Sequence, residues 1–444
     1  MCEAVIDCPH STPVWTKSGY VVLRNQNIKD GRLDLSEPSF TDEEHFKQRI
    51  RRMAPRSGDI VITREAPMGE VCRIPEGLTC CLGQRQVLLR PKADVDGDYL
   101  LYALQSPFVQ NQIRWNEGTG STVSNIRIPV LEKIEIPRND KAETSIAKAL
   151  SSLDSKIDLN RRINQTLEAM AQTIFKSWFV DFDPVKAKIA AIEQGQDPLR
   201  AAMRAISGKT DAELDQMPRE QHDQLAATAA LFPDVMEESE LGEIPKGWAF
   251  QAADLLTEVG IGKTPPRKEP QWFTEGEGDW RWVSIKDMGT SGVFQQRSSE
   301  FLTSEAVSRF NVRVVPDRTV LLSFKLTIGR VAITDGTMVT NEAIAHFKLP
   351  SDAAISSEYL YLYLKSFDYS TLGSTSSIAD AVNSKTIREM PVILANSDLI
   401  DCFTKSVIPI FEEVRNRQNE IAVLGATRDT LLPKLLSGEI EVPA

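Results

Sequence analysis

Apolar residues return at alternating steps of four and three along two stretches of the chain. That spacing draws one stripe along a helix and favours pairing with another helix. In the first stretch the positions are Ile146, Leu150, Leu153, Ile157, Asn160, Asn164, Leu167, Ala171, Ile174 and Trp178. Phe403, Val407, Ile410, Val414, Arg417, Ile421, Leu424, Arg428, Leu431 and Leu435 repeat the pattern, each 257 positions later. The spacing predicts a first helix over about 141–179, roughly 58 Å long at ~1.5 Å per residue. A second helix should be less ideal, because Pro409 starts or kinks it, Gly425 weakens its middle and Pro433 limits its end. Asn160, Asn164 and Arg417 interrupt the apolar seams. If the helices pair antiparallel these polar positions meet, fixing register at some cost in stability.

Ahead of each helix the pattern shortens to strand length. In the first half, alternating or fully apolar runs at 21–23, 60–63, 70–73 and 87–90 are broken by Gly, Pro and Asp turns. A short helix is expected over 99–113, then a hydroxyl-rich loop at 118–124 and a closing strand at 134–137. The second half keeps this order: runs at 280–285, 318–322 and 328–331, a short helix at 358–364, a loop at 373–377 and a closing strand at 390–394. Its opening, Gly242-Glu-Ile-Pro-Lys-Gly-Trp248, has no clear counterpart near Met1. Between the halves lie helix-like pieces around 184–206 and 210–230, with Thr210-Asp-Ala-Glu213 fitting a capping box. The expected order is a first domain over 1–139, a spacer helix over 140–180 and an acidic helical connector over 181–240. A second domain over 241–396 and a second spacer helix with tail over 397–444 complete it. The fold class is α+β, with two similar mixed domains and an internal repeat.

Charge refines the partner question. The net charge of −11 argues against nucleic acid, but 14 acidic and 7 basic residues between Asp181 and Phe250 supply much of it. The first 139 residues carry 18 of each sign, and Lys47, Arg49, Arg51, Arg52 and Arg56 fall in a ten-residue stretch without an acid. Local basic patches govern phosphate contact more than the whole-chain sum does; a solvated loop is the alternative reading. The six cysteines form no paired CxxC knuckles and only four histidines are present, so reduced thiols and no metal site are expected. Without a membrane-length apolar run or a signal-peptide pattern, a cytoplasmic address is expected.

No P-loop, dinucleotide fingerprint, HExxH or GxSxG motif occurs, nor the Asn/Asp-Pro-Pro-Tyr/Phe tetrapeptide of amino-methyltransferases. Gly260-Ile-Gly-Lys-Thr264 lacks phosphate-loop spacing, and Pro265-Pro266 disfavour the helix that would bind phosphate. A self-contained active site is therefore not expected.

Three segments in order carry a resemblance. The run Arg428-Asp-Thr-Leu-Leu-Pro-Lys-Leu-Leu-Ser-Gly-Glu-Ile440 resembles the end of specificity subunits of Type I restriction-modification enzymes. Ala171-Gln-Thr-Ile-Phe-Lys-Ser-Trp-Phe-Val-Asp-Phe-Asp-Pro184 resembles the end of that family's central helix, and Leu241–Trp248 the start of its second target-recognition domain. The resemblance implies two target-recognition domains held apart by two antiparallel helices, each domain reading half of a split DNA site. It implies two modification subunits that carry S-adenosylmethionine and methylate adenine at N6, restriction subunits in the full assembly, and no catalysis or bound cofactor in this chain. Half-sites about one duplex turn apart, roughly 34 Å, suit two modules on a rigid spacer.

Base edges are read by paired donors and acceptors, chiefly Arg or Lys for guanine and Asn or Gln for adenine. The candidates in the first domain are Lys47, Arg49, Arg51, Arg52, Arg64, Gln84 and Arg85, with Ser121 and Thr122 in the hydroxyl-rich loop. In the second they are Lys263, Thr264, Arg267, Lys268, Lys286, Lys325 and Ser374. The helix seam is assigned to Leu150, Leu153, Ile157, Asn160, Asn164, Leu167 and Ile174 against Val407, Ile410, Val414, Arg417, Ile421, Leu424 and Leu431. Trp178 and Phe179 are expected in the chain's own core. Two other functions compete: a scaffold holding two protein partners, and a methyltransferase with an unfamiliar site. Salt-dependent, sequence-selective DNA binding separates the first from recognition, and methyl transfer by the chain alone would identify the second.

Overall fold

The computed structural model describes residues 1–115, 125–138, 142–274, 278–372 and 382–442. The chain forms two compact units, one of Met1–Leu159 with Glu420–Ala444, the other of Asn160–Asn419. Each unit holds strand-rich sheets and a portion of both long helices.

In the first unit, Cys2–Asp7, Gln86–Pro91, Ile60–Thr63 and Val71–Arg73 form an antiparallel sheet in that spatial order. Ser39–Thr41, Tyr20–Leu23 and Cys80–Leu82 form a second, with the last pair parallel. Ile60, Ile62, Val87 and Leu89 point to one side, onto Leu100, Leu104 and Val109, while Val61 and Leu88 point to the other, onto Leu23 and Cys80. The strand period of two thus splits one apolar run between two cores. Helix Gly97–Gln105 turns Tyr99, Tyr102 and Ala103 against Ile146, Ala147, Leu150, Leu432, Leu435 and Leu436 of the long helices. Arg32 reaches Asp154 at 3.1 Å and Asp158 at 2.5 Å, and Arg428 reaches Asp154 at 2.8 Å.

The second unit repeats this plan with longer sheets. Glu258–Ile261, Ile344–Lys348, Val320–Ser323, Val331–Thr334 and Phe294–Gln295 lie in that order, the last joined in parallel. Beside it lie Phe273–Thr274, Glu300–Leu302, Trp280–Val283 and Val339–Thr340, again ending in a parallel pair. Phe175, Trp178 and Phe179 are buried against Tyr359 and Phe403; the Phe179 ring lies 5.0 Å from each of those two. The tyrosine anchor recurs. Tyr99 donates to Pro137 O at 2.9 Å in the first unit, and Tyr359 donates to Ile393 O at 2.7 Å in the second.

The long helices run Glu143–Phe179 and Ser397–Ser437. In the first unit the start of one packs on the end of the other, and in the second unit Asn164 Nδ2 donates to Val414 O (3.3 Å) and Arg417 Nη1 to Asn160 Oδ1 (2.9 Å). The pairing is therefore antiparallel within each unit, and the polar interruptions meet. The helix holds Pro409 and Gly425 in its interior and ends at Ser437, just past Pro433, so Pro409 does not start it.

Three further expectations change. The helix expected over 99–113 is two helices, Gly97–Gln105 and Pro107–Trp115, because the residue before a proline avoids helical backbone and Ser106 is extended. The closing strand at 134–137 is irregular. Its counterpart Pro391–Leu394 pairs with Ala249–Ala252, whereas the described residues of the first unit hold no equivalent partner strand, and a strand needs one for its backbone groups. The connector holds four helices, Asp183–Glu193, Pro198–Ser207, Asp211–Asp215 and Arg219–Ala230, and Thr210 and Glu213 cap each other as the motif predicts.

Candidate nucleic-acid interface

At one end of each main sheet the same three backbone bonds draw four loops together. In the first unit, Gly83 N donates to Leu23 O (2.8 Å), Arg64 N to Arg85 O (2.8 Å) and Cys8 N to Gln86 O (3.1 Å). In the second, Asn341 N donates to Val283 O (3.0 Å), Phe324 N to Ala343 O (3.0 Å) and Gly262 N to Ile344 O (3.1 Å). The frame is therefore duplicated, and the side chains it carries are not. The first unit brings Arg24 and Asn25, the turn after Thr63, Gln84 and Arg85, and the segment from Pro9 to Ser11 to one face. The second brings Ser284 and Lys286, the turn after Ser323, Asn341 and Glu342, and Lys263 with Thr264.

On the first face, Asn25 Nδ2 donates to Glu65 O (2.5 Å), Gln84 Nε2 to His10 O (2.6 Å), and Arg85 lies 3.2 Å from Glu65. Arg24 is exposed and sits over the Trp15 ring at 5.3 Å. On the second, Thr264 donates to Glu342, and Asn341 Oδ1 caps Ala343 N at 3.1 Å. Lys263, Lys286 and Lys325 are exposed. Loop faces of amides and cations, framed by the repeated backbone bonds and carrying side-chain pairs such as Arg85–Glu65 and Thr264–Glu342, have the chemistry that base edges and phosphates require.

Several candidates prove to be bracing. Arg49 is buried, with its guanidinium donating to Leu82 O (2.8 Å), Gly83 O (2.9 Å), Ser11 O (3.0 Å) and Pro9 O (3.3 Å). It is a pin beneath the face, so it is withdrawn as a DNA contact. Arg64 is largely covered and pairs with Asp7 at 2.7 Å while donating to Ile126 O. Arg267 forms a two-bond pair with Glu300 (2.6 and 2.8 Å) and stacks on Phe273 and Trp282. The basic run is also dispersed: Lys47 pairs with Glu43, Arg52 donates to Asp7 O, and Arg51 is exposed. Lys268 is exposed in the loop before the Phe273–Thr274 strand. Ser121, Thr122 and Ser374 lie outside the described residues.

Arg24, Asn25, Ser284, Asn341 and Glu342 also stand on these loops, although no basic run or motif marks them in the sequence. Aligning the halves on their strands, with Leu23 beside Val283 and Thr63 beside Ser323, would have found the loops. Gly260 and Gly262 belong to a strand and its end, so Gly260–Thr264 is not a phosphate loop. Burial pushes the Cys72 and Cys80 thiols up to about 12 and Cys81 up to about 11, which keeps them protonated. Among the described residues no group of three or more His, Cys, Asp or Glu is placed to hold a metal ion, and no helix is long and apolar enough to cross a membrane.

The family described as Type I restriction modification DNA specificity domain matches residues 11–169 and 245–397. The HindI specificity subunit of a Type I restriction enzyme from Haemophilus influenzae is 34% identical over 340 residues, 73% of each chain. The MjaIX specificity subunit from Methanocaldococcus jannaschii is 25% identical over 407 residues, covering 90% of this chain and 81% of that one. The crystal structure of a Type I restriction-modification S subunit from M. genitalium overlays 97% of this chain and 93% of that chain, with 15% identity and a TM-score of 0.46. The duplicated loop frame thus belongs to a two-fold repeat of DNA specificity domains. The chain is a member of the Type I restriction-modification specificity subunit family.

Proposed function

We propose that each loop face reads one half of a bipartite duplex site and that the helix pair sets the unspecified gap between the halves. Two modification subunits carrying S-adenosylmethionine then methylate adenine at N6 in the recognised site, and restriction subunits cleave where the site is unmodified. The chain contributes recognition and binds no cofactor of its own, and the assembly works in the cytoplasm. The observation that carries this reading is the set of three backbone bonds repeated in both units around different side chains. A common frame with exchangeable side chains presents two different readers in one geometry.

In the first half-site the readers are Arg24, Asn25, Gln84 and Arg85, with Lys47, Arg51 and Arg52 toward the phosphates. In the second they are Lys263, Thr264, Lys286, Lys325 and Asn341, with Lys268 toward the phosphates. Amides suit adenine and cations suit guanine, while the outer cations position the duplex without reading it. The net charge of −11 leaves much of the electrostatic hold to the modification subunits.

The test is to co-express the chain with its cognate modification subunit, supply S-adenosylmethionine and map N6-methyladenine across genomic DNA. Two short specific parts around a fixed gap are expected. Gln84→Ala should then relax only one part and Asn341→Ala only the other. A continuous motif, or variants that relax both parts together, would overturn the two-reader assignment.

A further inference from the structure

The turn between Val320–Ser323 and Val331–Thr334 ends in Leu326, which is 92% exposed with φ of 62°. A leucine with left-handed backbone is strained, and an aliphatic side chain projected into water gains nothing from folding. Both costs persist because the turn is over-determined. Ser323 Oγ donates to Thr327 O (2.6 Å) and accepts from Arg330 N (3.0 Å), while Gly329 N donates to Ser323 O (3.0 Å).

The first unit closes its turn with matching bonds. Gly69 N donates to Thr63 O (2.9 Å), Glu70 N donates to Thr63 Oγ1 (3.0 Å), and Ala66 takes the left-handed place with φ of 40°. The bend is part of the repeated frame, but its tip carries a methyl group in one unit and an isobutyl group in the other. Lys325 and Thr327 beside Leu326 are exposed and polar. Leu326 is thus a single apolar point in a polar rim, too small for a protein-docking patch.

We propose that Leu326 reads a thymine of the second half-site by contact with its 5-methyl group, beside the base edge that Lys325 reads. This rests on the loop face being the DNA-reading face. Among base edges the apolar feature is the thymine methyl, and it projects into the major groove. The turn joins two inner strands of the five-stranded sheet and projects from its end as a loop, toward a groove about 12 Å wide.

The experiment uses the assembled methyltransferase and synthetic duplexes carrying the mapped site. Each thymine of the second half-site is replaced in turn by deoxyuridine, which removes only the methyl group. At one position the parent complex should methylate roughly fourfold more slowly, the equivalent of one buried methylene-sized group. Leu326→Ala should lose the same factor on the thymine duplex and be indifferent to deoxyuridine at that position. Leu326→Gly should behave alike while relieving the backbone strain, which separates lost contact from a damaged fold. A second half-site without thymine overturns the proposal. So does a thymine whose replacement slows parent and Leu326→Ala equally, or a Leu326→Ala defect with no deoxyuridine effect in the parent, which would mark a wedge between bases. Failure of the two-reader assignment would appear separately, as loss of the split motif from the methylation map.

Discussion

At the residue scale, charge in the sequence and charge on the surface part company. Arg49 stands in the most basic stretch of the chain, yet it supports four carbonyls from two loops. Its helix, Glu43–Arg49, turns Phe46 and Arg49 inward together, three residues apart. Nothing in a run of cations says which one is a pin, because that depends on carbonyls 33 to 40 residues away. Replacing Arg49 with Ala should lower stability on the order of 2–3 kcal/mol, since several charged hydrogen bonds are lost at once. The urea midpoint of the purified chain reports it, and recognition of the first half-site should loosen while the second is unchanged. His346 makes a second residue-scale case. It is buried beside the Thr340 hydroxyl, and burial, then Arg313, pull its pKa down to about 3. The unfolded chain takes up a proton near the ordinary value of about 6.5, so it binds more protons than the folded chain below that pH. The neutral ring's contribution is fully present above about 6.5 and is lost as pH falls toward about 3. Denaturation midpoints between those limits should slope with pH in the parent and flatten in His346→Gln. An unchanged slope in the variant would assign the dependence to other groups.

At the element scale, periodicity was legible where elements are long. Ten seam positions in each half sufficed to place helices of 37 and 41 residues. Short elements were harder, because their existence depends on a partner. The strand expected at 134–137 has suitable residues, and Ile134 and Ile136 do pack on the core, but no neighbouring strand accepts its backbone bonds among the described residues. The apolar pattern over 99–113 also runs on smoothly across Ser106 and Pro107, although the proline there was a visible break. Gly425 is a weak point that the helix nonetheless passes through, and a Cβ placed there meets nothing within 4 Å. Gly425→Ala should therefore stabilise the chain by about 0.5–1 kcal/mol, through reduced freedom of the unfolded state. A higher thermal midpoint with an unaltered methylation motif is expected; a lower one would mean that the glycine is needed for a contact in the assembly.

At the scale of the whole molecule, the repeat keeps its plan while one ion pair between helix and domain exchanges its signs. Asp158 of the first long helix holds Arg32 of the first domain at 2.5 Å. The position 257 residues later is Arg415, which holds Asp335 of the second domain at 3.0 Å. Each domain is keyed to its own stretch of helix, so an exchanged domain should bring that stretch with it. Between those keyed stretches the helices have only to keep their seam, and there length can change without touching either reader. Asp158 holds the first domain, while Gln418 and Asn419 are still bonded to the second, so the insertion points are after Leu159 in the first helix and after Asn419 in the second. Four residues inserted at each of those points add about 6 Å of helix, just over one turn. A base pair rises about 3.4 Å, so the gap in the methylated motif should grow by one or two positions while both half-sites keep their sequences. The same insertion in one helix alone puts the seam out of step and should reduce methylation without yielding a new motif. If the double insertion leaves the original gap in place, the spacing of the half-sites is set outside this helix pair, and the modification subunits become the place to look.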